Sequence, residues 1–185
     1  GASMLLNGLI SIGVGVGAEI PSWLVMSGVS IFATGFGSAA LTALVVRHVI
    51  IPSMIKNGED LGYMFKPHEQ VMHNLALILL SIDLLLGGMV VLWTLMSLSL
   101  IVGALYLIFA EFWAIRGAGY YVYGFIDPRP KFAPLFLLGL MMVCLISFCI
   151  GLAISEIKED YPFLATFAIV LFLSFSVRFR DPSTT

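Results

Sequence analysis

The sequence predicts an all-α fold, a polytopic bundle of about six transmembrane helices. Of its 185 residues, 60% are hydrophobic and only 11% are charged. An ordinary soluble domain has about 25% charged and about 45–50% apolar residues, so the apolar surplus must face lipid or pack between helices. The net charge of −2 and the dispersed basic residues argue against a nucleic-acid partner. We therefore expect a multi-pass integral membrane protein in contact with a lipid bilayer.

Long apolar runs alternate with short polar segments, and no stretch is left for a soluble domain. Residues 1–3 resemble a tag remnant, residues 4–180 a single transmembrane domain, and residues 181–185 a polar C-terminal tail. The predicted spans are residues 4–20, 23–46, 71–92, 95–115, 132–154 and 162–177.

The first two predicted spans are rich in glycine. Gly13 and Gly17 have a small-residue spacing that lets a second helix approach closely. Gly35 lies on a small-residue face of the second span, and Gly87 follows the acid of the third. We expect these four glycines to be positions where helices pack.

The second span is expected to end at Arg47 and His48. Pro52 then interrupts a short stretch along the interface, because proline cannot donate the backbone hydrogen bond that a helix needs. The most polar part of the chain, residues 56–70, is expected to be an aqueous loop.

Residues 71–116 are too long for one span and contain no strong turn signal. We place the break at Trp93-Thr94, because tryptophan favours the membrane–water interface and Thr94 can cap the following helix. The tyrosines of residues 117–131 suit the other interface, and Asp127-Pro128-Arg129-Pro130 predicts a rigid turn there.

Six spans put both termini on one side of the membrane. Eight of the nine lysines and arginines fall on that side, and only Lys158 falls on the other. The eight are Arg47, Lys56, Lys66, Arg116, Arg129, Lys131, Arg178 and Arg180. Since basic residues concentrate in cytoplasmic loops, both termini are expected to be cytoplasmic.

Asp83 stands near the middle of the third predicted span. A carboxylate at that depth is costly, and a functional role is the first hypothesis for it. Small residues on its helical stripe favour contact with another helix, so we expect the third helix at the centre of the bundle. Buried there, Asp83 can carry a proton or bind a cation; the alternative is an acid that only fixes helix packing.

Glu111 is the second carboxylate expected within the membrane. It precedes Arg116 near the cytoplasmic end of the fourth span, and Arg47 ends the second span at a similar level. A salt bridge to Arg47 or Arg116 is one interpretation. The other joins Glu111 to Asp83 as two steps of one ion or proton path with a shared cavity.

The three histidines do not match a known metal motif. His68 and His73 are one residue too far apart for the zinc spacing of two histidines on a helix. His48 and His73 are weak candidates for a pair of haem ligands, because each lies near the cytoplasmic end of a different span. We predict no cofactor.

Three function classes remain open at this point. The first is ion- or proton-coupled transport, or a conducting subunit, that uses the intramembrane carboxylates. The second is a non-catalytic integral subunit of a larger respiratory or energy-converting membrane complex. The third is a haem-binding redox or lipid-modifying membrane protein, and the balance is against an enzyme. A chain of this length is expected to form a homo-oligomer or to join partner membrane subunits.

Overall fold

The computed structural model describes residues 2–121 and 123–182, and within them the chain is helical without a strand. This confirms the predicted helical class. Short 3₁₀ turns lie in two of the connections, at Gly62–Phe65 and Gly124–Ile126. The main helices of the described part are α1 (Ala2–Gly15), α2 (Ser22–Asn57), α3 (Pro67–Leu86), α4 (Trp93–Gly117), α5 (Ala133–Ile157) and α6 (Pro162–Ser176).

In the part of the chain that the structure describes, four helices, α2 to α5, are long and apolar enough to cross a membrane. The shortest of them, α3, has 20 residues. At about 1.5 Å per residue it matches a hydrocarbon layer of about 30 Å. α1 and α6 have 14 and 15 residues, which gives only about 21–23 Å. The helices thus suit a multi-pass integral membrane protein, while crossing by α1 and α6 stays a prediction.

The centre of the bundle is α2 and not the predicted third helix, because α2 contacts each of the other five helices. Its buried positions recur every three or four residues, and the rings of Phe32 and Phe36 are completely buried. Small residues beside these rings let neighbours approach: an added Cβ at Gly37 would lie 3.5 Å from the hydroxyl of Ser99 in α4. α3 is one of the helices around this axis and packs on α2, α5 and α6.

α2 extends well past its predicted end. A π turn, Val46–Ile50, comes just before Pro52, and the helix then continues to Asn57. The π turn changes the hydrogen-bond spacing, which lets the helix continue around a proline without an N–H. Gly58, with a φ of 70°, ends the helix in the left-handed conformation that glycine adopts readily. The predicted interfacial stretch is therefore part of one long helix.

α3 and α4 are separate helices, but the break lies earlier than the predicted Trp93-Thr94. α3 ends at Leu86, and residues 87–92 have no helical structure. Gly87-Gly88 weakens the helix at this point, since glycine has the largest backbone entropy cost. The following residues are apolar, and Val91, only 1% exposed, belongs to the central core. We call residues 87–92 the buried connection.

The helix ends lie at the two ends of the bundle, which we call face A and face B, and hydrogen bonds between distant residues connect them there. At face A, Asn74 near the start of α3 donates to the backbone oxygen of Arg178 after α6. The ends of α2 and α4 belong to the same face. At face B, Lys158 after α5 donates to a backbone oxygen near the end of α3, at Leu84. In this order of helices, face A is the predicted cytoplasmic side, and the orientation stays a prediction.

Candidate functional site

The predicted packing glycines have different roles in the structure. An added Cβ at Gly35 would reach Leu80 of α3 at 3.9 Å, an ordinary contact between packed helices. At Gly13 it would come within 2.7 Å of the Ile20 side chain in the following connection. Gly17 has open space around it and a φ of 79°, so it serves the turn after α1 and not helix packing.

Asp83 lies in the last turn of α3, at face B, and not in the middle of a span. The predicted depth assumed a helix to residue 92, whereas α3 ends at Leu86. The side chain is half-buried and lies against Gly87, where an added Cβ would come within 2.5 Å of its Oδ1. The N–H of Gly87 also donates a 2.8 Å hydrogen bond to the backbone oxygen of Asp83. Gly87 therefore makes room for this carboxyl group and does not pack two helices together.

Lys158 places a positive charge near Asp83, although the two groups are not among the ion pairs of the described residues. Its Nζ donates to the backbone oxygens of Leu84 at 2.9 Å, Gly87 at 3.2 Å and Met89 at 2.7 Å. An ammonium group has three N–H donors, so all of them have a partner here. The oxygens belong to the end of α3 and to the buried connection, where the helix itself provides no donor. Burial lowers the pKa of Lys158, and the nearby carboxylates act in the opposite direction.

Side chains on one side of the helix α5 bind the buried connection. The Ser155 hydroxyl accepts a 2.8 Å hydrogen bond from the N–H of Val91 and donates to the backbone oxygen of Gly151 at 3.0 Å. Gly151, Ser155 and Lys158 have the i, i+4, i+7 spacing of one helical face. Irregular backbone is tolerated at membrane depth where protein surrounds it. We call Asp83, Ser155, Lys158 and the buried connection the face B site.

Glu111 belongs to a separate group, which we call the face A cluster: Glu111, Tyr121, Asp127 and Arg129. The Tyr121 hydroxyl donates a hydrogen bond to Oε2 of Glu111. The Arg129 guanidinium lies 5.4 Å from the centre of the Tyr121 ring. Arg129 also donates to both carboxyl oxygens of Asp127, at 2.8 and 2.7 Å. The hydrogen bond to Glu111 raises the pKa of Tyr121 to about 12. The hydrogen bond from Arg129 lowers the pKa of Asp127.

The two carboxylates of the predicted path lie at opposite ends of the bundle. From Trp93 at face B, α4 rises about 27 Å before it reaches Glu111, whereas Asp83 is within one turn of face B. The described residues that line the cavity beside Glu111 belong to α4 and the connection after it, and Asp83 is not among them. The described residues around Glu111 therefore form no cavity that is shared with Asp83.

The predicted ion-pair partners of Glu111 lie elsewhere. Among the described residues, neither Arg47 nor Arg116 pairs with Glu111. Arg47 instead donates from Nη1 to the backbone oxygens of Ser174 at 2.5 Å and Val177 at 2.6 Å. This guanidinium satisfies carbonyl groups at the end of α6, so its role is to cap a helix.

Both haem candidates have protein partners on the Nε2 atom. His48 Nε2 lies 3.0 Å from the backbone oxygen of Phe175, and the two rings stack at 4.6 Å. His73 Nε2 lies 2.9 Å from Oε2 of Glu69, and its Nδ1 is buried without a hydrogen-bond partner among the described residues. These contacts orient the two rings towards their neighbours and do not favour a shared haem. The part of the chain that the structure describes contains no group of three or more side chains placed to hold a metal ion.

Sequence reasoning missed Lys158, Ser155 and Tyr121 as site residues. Two signals pointed to the face B site: Lys158 is the single basic residue on its side of the predicted topology, and Gly87-Gly88 interrupts an apolar run. Nothing in the sequence joins these signals, because 71 residues separate Lys158 from Gly87. Tyr121 was attributed only to a belt of interfacial tyrosines.

The face B site has the groups of a site for a small cation. Three backbone oxygens surround one positive charge, and a carboxylate is close by. Oxygens at helix ends and in unwound segments bind Na⁺ or protons in transporters with interrupted helices. Comparisons of the chain with known protein families, curated proteins and solved structures give no match.

Proposed function

We propose that this protein moves a proton or a small monovalent cation across a membrane, and that the face B site binds the moving charge. The observation that carries the proposal is the Lys158 ammonium, which lies among three backbone oxygens beside Asp83. Backbone oxygens arranged around an ammonium group also suit an alkali cation, since both carry a single charge and need oxygen partners. Here the protein fills the position with its own side chain.

In this proposal, the binding of a proton or cation at the face B site depends on the position of the Lys158 ammonium. When Asp83 takes up a proton, its attraction for the ammonium is lost and the backbone oxygens alone hold Lys158. The lysine stem is long and rotatable. When it turns away, three oxygens and Asp83 become open to a cation from solution. Proton binding and cation binding are coupled because both change the position of Lys158.

The test is proton and alkali-cation flux in liposomes that contain the purified protein. We compare the wild type with Asp83→Asn, which keeps the shape of the side chain and removes its charge. The expected result is a loss of flux by about tenfold or more, the equivalent of one pKa unit of interaction energy. Glu156→Gln is the matched control, since Glu156 is an exposed carboxylate near the same face. Its flux should equal that of the wild type.

Equal flux in Asp83→Asn and wild type would overturn the role of the face B site. The absence of flux in a well-folded wild type would favour the second candidate, an integral subunit of a larger complex. One observation supports that candidate: α1 and α6 are shorter than the hydrocarbon layer, and association with other helices is one way to relieve such a mismatch. The mass of the assembly extracted from native membranes would then identify the partners.

A further inference from the structure

The cavity beside Glu111, of about 270 Å³, lies at face A between the end of α4 and the connection that follows it. Glu111, Tyr121 and Arg129 supply its polar lining, and Ala114, Ile115 and Pro128 supply apolar walls. The transport proposal makes no use of this space. Its two charged groups contact one tyrosine: the Glu111 carboxylate accepts from the Tyr121 hydroxyl, and the Arg129 guanidinium lies over the face of the ring.

The cavity has both an open acceptor and open donors. Glu111 accepts the Tyr121 hydroxyl on Oε2, and its Oε1 has no hydrogen-bond partner among the described residues. Arg129 uses its Nε and one N–H of Nη2 for Asp127. Since a guanidinium group has five N–H donors, three are left for a ligand. The ring of Tyr121 lies between the carboxylate that it binds and the guanidinium above its face.

The outer wall of the cavity is apolar and exposed. Ile115 is 66% exposed, and the neighbouring Phe112 and Trp113 are exposed on the same stretch of α4. Tyr120, in the connection, is also exposed. Tryptophan and tyrosine concentrate at the level of lipid head groups, where an apolar surface meets polar ligands. A ligand with an apolar tail in the membrane can therefore reach the cavity from the side.

We propose that the face A cluster binds the head group of a phosphatidylethanolamine-type lipid, with the ammonium on Glu111 and the phosphate on Arg129. The ammonium donates to Oε1 of Glu111, and the phosphate accepts from the remaining N–H groups of the guanidinium. An anionic lipid without an amine gives Oε1 of Glu111 no donor and places a phosphate near this carboxylate. A quaternary choline cannot donate a hydrogen bond, and the face of the Tyr121 ring near Arg129 is already covered. The site thus selects a primary amine joined to a phosphate.

Native mass spectrometry of the full chain tests this proposal. The protein is exchanged in detergent into an equimolar mixture of phosphatidylethanolamine, phosphatidylcholine and phosphatidylglycerol. The wild type should retain phosphatidylethanolamine preferentially. Glu111→Gln should lower that preference by about tenfold, as expected for the loss of one charge-assisted hydrogen bond. Glu156→Gln, an exposed carboxylate outside the cluster, should keep the wild-type preference.

A second variant and a soluble probe complete the design. Arg129→Gln changes an exposed side chain, so it leaves the fold intact, and it should weaken retention of phosphatidylethanolamine as well. Free phosphoethanolamine is added in excess as a competitor. If it fails to displace the lipid, the lipid tail is part of the ligand, as proposed. Displacement by the free compound would overturn the lipid proposal, because the ligand would then be a soluble zwitterion. Equal lipid preference in the wild type, Glu111→Gln and Arg129→Gln would overturn the site.

Discussion

The charged and polar side chains of the face B site contact residues that are distant in the sequence, whereas those of the face A cluster contact near neighbours in the sequence. At face B, Lys158 and Ser155 bind backbone atoms that are 64 to 74 residues away in the sequence. At face A, Tyr121 binds Glu111 across 10 residues, and Arg129 binds Asp127 across two. The face B contacts therefore hold distant helices together. The face A cluster is assembled from one helix end and its connection and leaves donors for a ligand.

This difference predicts that mutations in the face B site change stability, whereas mutations in the face A cluster change local titration and binding. The largest effect is expected for Lys158→Met, which keeps an apolar stem and removes the ammonium. Three backbone oxygens lose a charged donor, and two of them belong to the buried connection. Hydrogen bonds to charged groups contribute about 1.5–3 kcal/mol each. We expect the free energy of unfolding to fall by about 3 kcal/mol, since water replaces part of the loss.

Unfolding of the detergent-solubilised protein by sodium dodecyl sulfate, followed by circular dichroism, measures this loss. Lys56→Met is the matched control, because Lys56 is exposed at the end of α2 and makes no described contact across the bundle. Its unfolding curve should match that of the wild type. Identical curves for Lys158→Met and Lys56→Met would show that the ammonium does not hold the connection.

The next largest effect is expected at Gly151, where α5 meets α2 and the buried connection. In Gly151→Ala the new Cβ would lie 2.8 Å from the Phe36 ring and 3.2 Å from Val91. Overpacking of a core costs about 1–3 kcal/mol, and Phe36 has no free space because it is completely buried. The same unfolding assay should show this loss of stability.

Gly139→Ala is a control in the same helix for which we expect stability to rise and not to fall. An added Cβ at Gly139 meets nothing within 4 Å, so the only change is the higher helix propensity of alanine. This should stabilise α5 by up to about 1 kcal/mol. If both variants shift stability in the same direction, contact with Phe36 does not decide the outcome at Gly151.

The helical class and the order of the six helices followed from the sequence because apolar runs long enough for helices stand out in hydropathy. The ends of the helices were predicted less accurately. Residues 87–92 are as apolar as a helix in lipid, but hydropathy measures the preferred surroundings of the side chains and not the shape of the backbone. The opposite error occurred at Arg47 and His48, which were expected to end the second span. A π turn begins there, and α2 continues past Pro52 to Asn57.

The candidate sites were predicted only in part. Asp83 and Glu111 stood out as rare acids in apolar runs, and both have polar surroundings in the structure. The depth of Asp83 depended on the boundary of α3, so one misplaced helix end moved it from the middle of a span to face B. The partners of both acids come from tertiary contacts or from the path of a connection. A hydropathy pattern contains neither.

The smallest expected effect concerns Tyr121 at face A and appears only in alkaline solution. Its pKa in the folded protein is raised to about 12 by the hydrogen bond to Glu111, against about 10 in an unfolded chain. Because the folded value is the higher one, the contribution to stability is complete below about pH 10 and is lost as the pH rises through about 12. Ultraviolet absorbance of tyrosinate should show a late titration step in the wild type. Tyr121→Phe should remove that step, and Tyr120→Phe, which changes an exposed neighbour, should keep it.

Glu111→Gln tests whether the Glu111 carboxylate is the cause of this late titration step. The amide cannot stabilise the Tyr121 hydroxyl as a carboxylate does, and it carries no charge to repel the tyrosinate. The late step should therefore move down towards about pH 10 in this variant. A late step that stays in place in Glu111→Gln would mean that burial and not the carboxylate holds the proton on Tyr121. The Glu111 carboxylate would then have no measurable effect on Tyr121, and the lipid preferences of the wild type and Glu111→Gln would remain the test of its role at face A.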